Sequence, residues 1–229
     1  MRNAKDPAGQ VVYNCIEVLE KFATFLKNDI VLIAEKERSL GYINESMQDV
    51  FTDLTVNQYP KAREVINLFI SSLTQVEYVR KTMYSRYRSL AQNSFTTALE
   101  LATKVKGLLV ERENAFKSFL TAQERKRRIA QPKPQDELKL SQATTAFQTL
   151  NSQTIQAAGT FANQLHRDLV TTLSAFAHAQ MELYAKSLEV WAATIEQIDQ
   201  ATLDDDTDAV VLAFQKAMNT LGTVSVGDD

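Results

Sequence analysis

The sequence predicts an all-α protein whose main part is an elongated antiparallel three-helix coiled-coil bundle, followed by a short extra C-terminal helix. Apolar residues recur at alternating steps of three and four positions, which is the spacing of a helix with one buried seam. The chain has only 6 glycines and 4 prolines in 229 residues, so it offers few places for turns. Most of these breakers lie near the ends or close to residue 132, and we therefore expect long uninterrupted helices.

The first predicted helix covers residues 12–56, after a short N-terminal segment formed by residues 1–11. Cys15, on its apolar seam, is the only cysteine, which excludes an internal disulfide and fits a reducing compartment. The first ten residues lack the apolar core of a signal peptide, and no apolar run approaches the ~20 residues that cross a bilayer. We therefore expect a cytoplasmic protein.

The second predicted helix covers residues 60–129. Pro60 suits the first turn of a helix, where its missing N–H leaves no hydrogen bond unmade. Pro132 and Pro134 end this helix. A helix of roughly 70 residues would be about 100 Å long, far longer than the helices of typical globular domains.

The third predicted helix covers residues 136–200 and returns antiparallel to the second, because the link between them is short. This register pairs positions whose numbers sum to about 265, and it places Gly107 nearly opposite Gly159. The missing side chains would permit a close backbone approach or a bend. The alternative is that both glycines are tolerated and have no packing role.

An acidic tail, residues 201–229, follows the bundle and contains a short amphipathic helix at about residues 206–221. The aspartates between Asp204 and Asp208 favour a helix N-terminus, and Gly222 is a plausible stop. This helix would dock on its own bundle or bind a protein partner. Its apolar face consists of Val210, Val211, Phe214, Met218 and Leu221.

A bundle of three thin helices encloses little volume, and its apolar seams exceed what that volume can bury. Self-association is therefore expected, and a two-fold homodimer is the commonest symmetric assembly. Trp191 is the predicted anchor of the dimer interface. The predicted interface residues are Phe69, Leu73, Leu183, Tyr184, Leu188, Trp191 and Ile195.

Positive charge is concentrated in the middle of the chain. The formal net charge is −3, yet residues 79–135 hold 13 basic and only 4 acidic residues. Such a stripe attracts an anionic surface; the alternative is a solvated face paired with the acidic third segment. The predicted membrane-binding residues are Arg80, Lys81, Arg86, Arg88, Lys104, Lys106, Arg112, Lys117, Arg125, Lys126, Arg127, Arg128 and Lys133.

The four consecutive basic residues Arg125–Arg128 form a special part of this stripe. Successive side chains on a helix point in different directions, so these four cannot all find acidic partners. Some of them are therefore expected to face outward at the extremity of the bundle, where the prolines form the hairpin.

Three stretches, taken in order and spacing, resemble a BAR domain over about residues 13–200. They are "NQYPKAREVINLF", "AQERKRR" and "FAHAQMELYAKSLEVWAATIEQID". The third contains a K-x-L-E-V pattern (Lys186, Leu188, Glu189 and Val190) similar to that of the ciliary BAR-domain (CIBAR) group. The resemblance implies a crescent-shaped antiparallel dimer whose positive face binds and bends anionic membranes. It also implies a peripheral membrane location, in the case of the ciliary group at the cilium or basal body.

The leading functional hypothesis is therefore a dimeric module that binds anionic phospholipid membranes and senses or generates curvature. The N-terminal residues lack the pattern of an insertion helix, so binding would rely on scaffold shape and charge. The alternative is a structural coiled-coil adaptor without membrane binding. Overall acidity and the lack of a base-reading motif argue against nucleic-acid binding. No motif supplies a catalytic, metal or cofactor site, so we expect no enzyme activity and no cofactor.

Overall fold

The structure, a computed structural model, describes residues 6–55, 60–128, 133–201 and 204–224. All regular secondary structure in these ranges is α-helical, as the sequence predicts. The predicted end of the second helix at Ile129, and Pro132 in the link, lie outside the described residues. The helices are α1 (Pro7–Thr55), α2 (Pro60–Asn93), α3 (Thr96–Arg128), α4 (Pro134–Gln200) and α5 (Asp204–Val224).

Prolines mark the starts of three helices. Pro7, Pro60 and Pro134 are the first residues of α1, α2 and α4, where a missing N–H leaves no helical hydrogen bond unmade. The first helix begins five residues earlier than predicted, because Asp6 provides an N-cap. Its side chain accepts the amide N–H of Gly9 at 3.1 Å, which satisfies one of the free donors of the first turn.

The predicted second helix is interrupted in the structure, which corrects the expectation of one continuous helix. Phe95 adopts a positive φ of 62°, the left-handed conformation, between the end of α2 and the start of α3. This conformation costs a bulky residue about 1–2 kcal/mol. The cost is offset because the Phe95 side chain is almost completely buried in the core beside it.

The chain forms two compact units, each with its own core. Unit 1 contains the described residues of Met1–Val31 together with Arg88–Phe176. Buried Thr172 donates a hydrogen bond to Ser94 at 3.0 Å, in the antiparallel register predicted for α4. The core cluster of unit 1 consists of Ile16, Ala23, Phe95, Ala98, Ala102, Val105, Leu109, Phe161 and Leu165.

Unit 2 contains Leu32–Tyr87 and the described residues of Ala177–Asp229. Ser72 and Thr194 share a buried hydrogen bond of 2.6 Å, again in the predicted antiparallel register. Phe69 of α2 packs between Phe51 of α1 and Trp191 of α4, with ring centroids 5.2 and 5.3 Å apart. The core of unit 2 includes Ala34, Leu73, Val76, Met83, Tyr87, Ala179 and Leu183.

The surroundings of Gly107 and Gly159 agree with the second alternative, in which both glycines are tolerated and have no packing role. A methyl group added to Gly107 or to Gly159 would meet no atom within 4 Å, so close backbone approach does not explain either residue. Gly41 is different, because a methyl group there would collide with the carboxylate of Glu77. Gly41 of α1 therefore leaves room for the Glu77 side chain of α2 in unit 2.

Candidate functional site

The basic residues at the end of α3 lie on the surface of unit 1. We call Arg125, Lys126, Arg127, Arg128 and Lys133 the basic tip; all five are exposed. Arg125 and Lys126 pair across the hairpin with Asp136 and Glu137 of α4, at 3.0 and 3.6 Å. Arg128 pairs with Glu124 of its own helix at 3.4 Å.

Arg127 and Lys133 differ from the other members of the basic tip, because neither forms an ion pair within the described residues. The expectation that four consecutive basic side chains cannot all be neutralised agrees with this arrangement. Exposed ion pairs contribute only about 0–1 kcal/mol each. Phosphate groups could therefore replace Glu124 or Glu137 as partners at little cost.

Arg125 differs from its neighbours because its partner is buried. Asp136 lies in the first turn of α4, where the helix dipole favours a negative charge, and its side chain is only 8% exposed. Arg125 therefore neutralises a carboxylate that has lost most of its water. This makes Arg125 part of the hairpin as well as part of the surface.

Arg112, predicted as a membrane-binding residue, is instead buried in unit 1, and the prediction for this residue is wrong. Its guanidinium forms an ion pair with Asp6 and donates to Asn151 at 2.9 Å. It also lies over the ring of Phe147, 5.3 Å from the centroid. With 8% of its surface exposed, Arg112 joins α1, α3 and α4 and cannot reach a membrane.

The remaining basic residues of α3 differ in exposure: Lys106 is half-buried, whereas Lys104 and Lys117 are exposed. Lys106 pairs with Glu20 of α1, and the hydrogen bond that it donates to this carboxylate raises the pKa of Lys106. Lys117 pairs with Glu113 one turn earlier, at 2.7 Å. Lys104 is exposed and has no ion pair among the described residues.

The basic residues of α2 have acidic partners in unit 2. Arg80 is mostly buried between Glu37 and Glu77, at 3.2 and 3.5 Å, so its charge is largely neutralised. Lys81 pairs with Glu45 of α1 at 2.7 Å, and the hydrogen bond raises the pKa of Lys81.

Arg86 pairs with Glu182 of α4. This is the kind of pair expected if the basic stripe is a solvated face that is neutralised by the acidic third segment. Hydrogen bonds from Lys186 and Arg86 lower the pKa of Glu182. Arg88 is exposed. The helix α2 thus presents a less positive surface than its sequence indicates, whereas the basic tip contains two exposed residues, Arg127 and Lys133, that have no ion pair among the described residues.

The residues predicted for a dimer interface fall into two groups. Leu73 and Leu183 belong to the core of unit 2, and Phe69 packs on Trp191 inside the same chain. Tyr184, Leu188 and Ile195 of α4 have 64%, 71% and 57% of their surface exposed. These three are the most exposed members of the predicted set, and Phe69 and Trp191 are half-buried.

The sequence patterns missed a buried acidic site around Glu77. The residue is 5% exposed, and its side chain lies against Gly41 and accepts a hydrogen bond from Asn44 at 3.5 Å. Burial raises the pKa of Glu77, while Arg80 opposes the shift. Glu77 occupies an interior position in the α2 seam. The seam was identified from the spacing of apolar residues, so a glutamate at this position gave no sign that it is buried.

The described residues contain neither a candidate metal site nor a helix that could cross a membrane. No group of three or more histidine, cysteine, aspartate or glutamate side chains there is placed to hold a metal ion. Neither His166 nor His178 is buried. Among the same residues, every helix is too short or too polar to cross a membrane.

Comparison with known proteins gives a structural likeness without a sequence match. The sequence matches no protein-family model and no curated protein. The structure is similar to the N-terminal I-BAR domain (1–259) of IBARa from D. discoideum, with a TM-score of 0.57 and 13% sequence identity. The match covers 96% of this chain and 100% of that domain. At this identity the likeness concerns the fold, and the chain therefore has the helical fold of a BAR-type domain.

Proposed function

We propose that the protein is a homodimeric BAR-type module that binds anionic phospholipid membranes and senses or generates curvature. The proposal combines the BAR-type fold with the exposed basic tip. The sequence resemblance to the ciliary group extends it to a peripheral location in the cytoplasm, at the cilium or basal body. Binding would depend on charge and on the rigidity of the helices.

The exposed, weakly paired state of the basic tip carries this proposal. Arg127 has no ion pair among the described residues, and the partner of Arg128 is an exposed glutamate of the same helix. If these guanidinium groups bind lipid phosphates instead, the protein therefore loses little stability. A basic residue near an acidic leaflet contributes about 1 kcal/mol, and a dimer would present two tips.

The ion pairs of the basic tip determine which residues should be replaced to test it. Replacing all four residues Arg125–Arg128 would also leave buried Asp136 without its partner, so a loss of binding could reflect a damaged hairpin. The double variant Arg127→Glu and Arg128→Glu avoids this. Two lost contacts of about 1 kcal/mol each weaken binding to phosphatidylserine vesicles about thirtyfold or more.

A matched control reverses two lysines of α1. Lys21 is exposed and pairs with Glu17 one turn away, as Arg128 does with Glu124, and exposed Lys36 has no ion pair among the described residues. Lys21→Glu and Lys36→Glu thus change the net charge equally and break an equivalent pair. We expect this control to pellet with the vesicles as the wild type does, and helicity should be unchanged in both variants.

The result also distinguishes the alternative function. A structural coiled-coil adaptor needs the helices and the dimer, but it needs no free positive charge. Most basic residues of α2 and α3 do have acidic partners within the chain. If the tip variant binds vesicles as strongly as the wild type and the control, the tip is only a solvated hairpin end and the adaptor function is favoured.

A further inference from the structure

The helix α5 is attached to unit 2 through its first turn. Asp206 is buried, and its carboxylate accepts the backbone N–H groups of Lys61 at 3.2 Å and Ala62 at 2.7 Å. These amides belong to the first turn of α2, whose donors have no partner within the helix. Asp206 thus serves α2 as an N-cap supplied by another helix, and it fixes the start of α5 against unit 2.

The apolar face of α5 remains uncovered. Val210, Val211, Phe214 and Met218 recur at helical spacing and form one stripe, which we call the α5 stripe. Between 44% and 68% of the surface of each residue is exposed. The docking predicted from the sequence therefore occurs through the polar first turn, and the described part of the bundle does not bury the stripe.

The charge of α5 argues against a lipid surface as the missing cover. Helices that lie in a membrane interface carry lysine and arginine on their polar face. The helix α5 instead begins with four aspartates within five residues and has a single basic residue, Lys216. An anionic membrane would repel this end of the helix, so a protein surface is the better cover.

The area that a stable interface needs indicates which protein surface covers the stripe. Stable complexes bury about 800 Å² per partner, which takes 20–30 residues on each side, whereas the stripe contains four. Unit 2 has further exposed apolar side chains on α1 and α4, and these can complete the area. They are Leu32, Leu40, Ile43, Met47, Val50, Leu54, Met181, Tyr184, Leu188 and Ile195.

We propose that the α5 stripe packs against unit 2 of a second copy of this chain and forms part of the dimer interface. A two-fold dimer buries the same surface on both copies, so the stripe and the exposed residues of α1 and α4 are covered in one association. The inference rests on the homodimer of the proposed function and adds α5 to it. Docking through Asp206 holds the stripe in place before the partner arrives.

Sedimentation equilibrium of the full chain tests this inference with three variants. Phe214→Asp places a charge in the middle of the stripe and should raise the dimer dissociation constant about tenfold or more. Phe214→Leu keeps an apolar side chain and should stay close to the wild type. Gln215→Asp adds the same charge at the neighbouring exposed position and should leave the dimer unchanged. Circular dichroism shows whether each variant retains its helices.

Two results would overturn the inference in distinguishable ways. If the wild type is a dimer and Phe214→Asp dimerises equally well, α5 lies outside the interface while the proposed function stands. If the wild type stays monomeric at micromolar concentration and Phe214→Asp only lowers the melting temperature, the stripe packs on its own bundle. In that case the homodimer of the proposed function fails as well, whereas vesicle pelleting tests membrane binding separately.

Discussion

Replacing Arg112 with methionine should cost unit 1 a large part of its stability. Methionine retains the apolar length of the side chain but removes the guanidinium that pairs with Asp6. The Asp6 carboxylate would keep only the N–H of Gly9, in a site where 6% of its side chain is exposed. Removing one partner of a buried ion pair typically costs about 3–5 kcal/mol.

The other contacts of Arg112 place the expected loss within this range. Asn151 loses a donor at 2.9 Å, which contributes about 1 kcal/mol for a neutral hydrogen bond. The ring of Phe147 loses the cation above it, but it keeps the apolar contact with methionine. We therefore expect the free energy of unfolding to fall by about 4 kcal/mol, most of it from the unpaired Asp6.

Urea denaturation followed by circular dichroism measures this loss, and a second variant identifies its source. Adding Asp6→Asn to Arg112→Met removes the unpaired charge and should restore most of the stability. Replacing both partners of a buried ion pair by uncharged residues often changes the free energy of unfolding little. A loss below about 1 kcal/mol together with weaker binding to acidic vesicles would refute this reasoning. Arg112 would then act at the membrane surface after all.

Three further predictions concern Tyr87, the glycines and Trp191. Burial raises the pKa of Tyr87 to about 12, above the ordinary value near 10, so the unfolded state ionises first and the free energy of unfolding falls between pH 10 and 12. Denaturation at several pH values should show a shallower decline in Tyr87→Phe, because the pKa of Lys81 and that of Lys106 are also raised and add to the loss; an unchanged decline would contradict the prediction. Gly107→Ala should stabilise the chain by up to about 1 kcal/mol, whereas Gly41→Ala should gain less because its methyl group displaces Glu77; equal melting temperatures would count against this. Trp191→Ala should weaken the dimer by ~3–5 kcal/mol if the ring is fully buried there, and sedimentation equilibrium showing an undiminished dimer would restrict Trp191 to packing on Phe69.

The helical architecture could be predicted because its causes are local. Pro60 and Pro134 fix helix starts through their missing N–H groups, and apolar spacing identifies the seams. The short link before Pro134 determined the antiparallel register, which the hydrogen bond between Ser72 and Thr194 reproduces. These features depend on residues that are close in the sequence or on the geometry of a single short turn.

The break at Phe95 could not be predicted from such local patterns. No glycine or proline marks it, and the left-handed backbone there is maintained by burial of the ring in a core drawn from distant segments. Arg112 illustrates the same difficulty for the site. Its partner Asp6 is 106 residues away in the sequence. The charge count therefore included Arg112 among the surface charges, although the fold pairs it with Asp6.

The basic tip was predictable because four consecutive charges on one helix cannot share one face. The partners of Arg125 and Lys126 follow from the hairpin, since Asp136 and Glu137 lie directly after the prolines. The uncovered α5 stripe was not predictable. Its spacing indicates an apolar face, but only the structure shows that docking occurs through Asp206.

Vesicle pelleting at low and high salt tests the central claim most directly. The wild-type chain is incubated with phosphatidylserine-rich vesicles and, separately, with neutral phosphatidylcholine vesicles, and the bound fraction is measured. Charge attraction is screened over ~8 Å at physiological ionic strength, so the account predicts strong binding to the acidic vesicles that decreases steeply with salt. Equal binding to both vesicle types, or no binding at low salt, would contradict it.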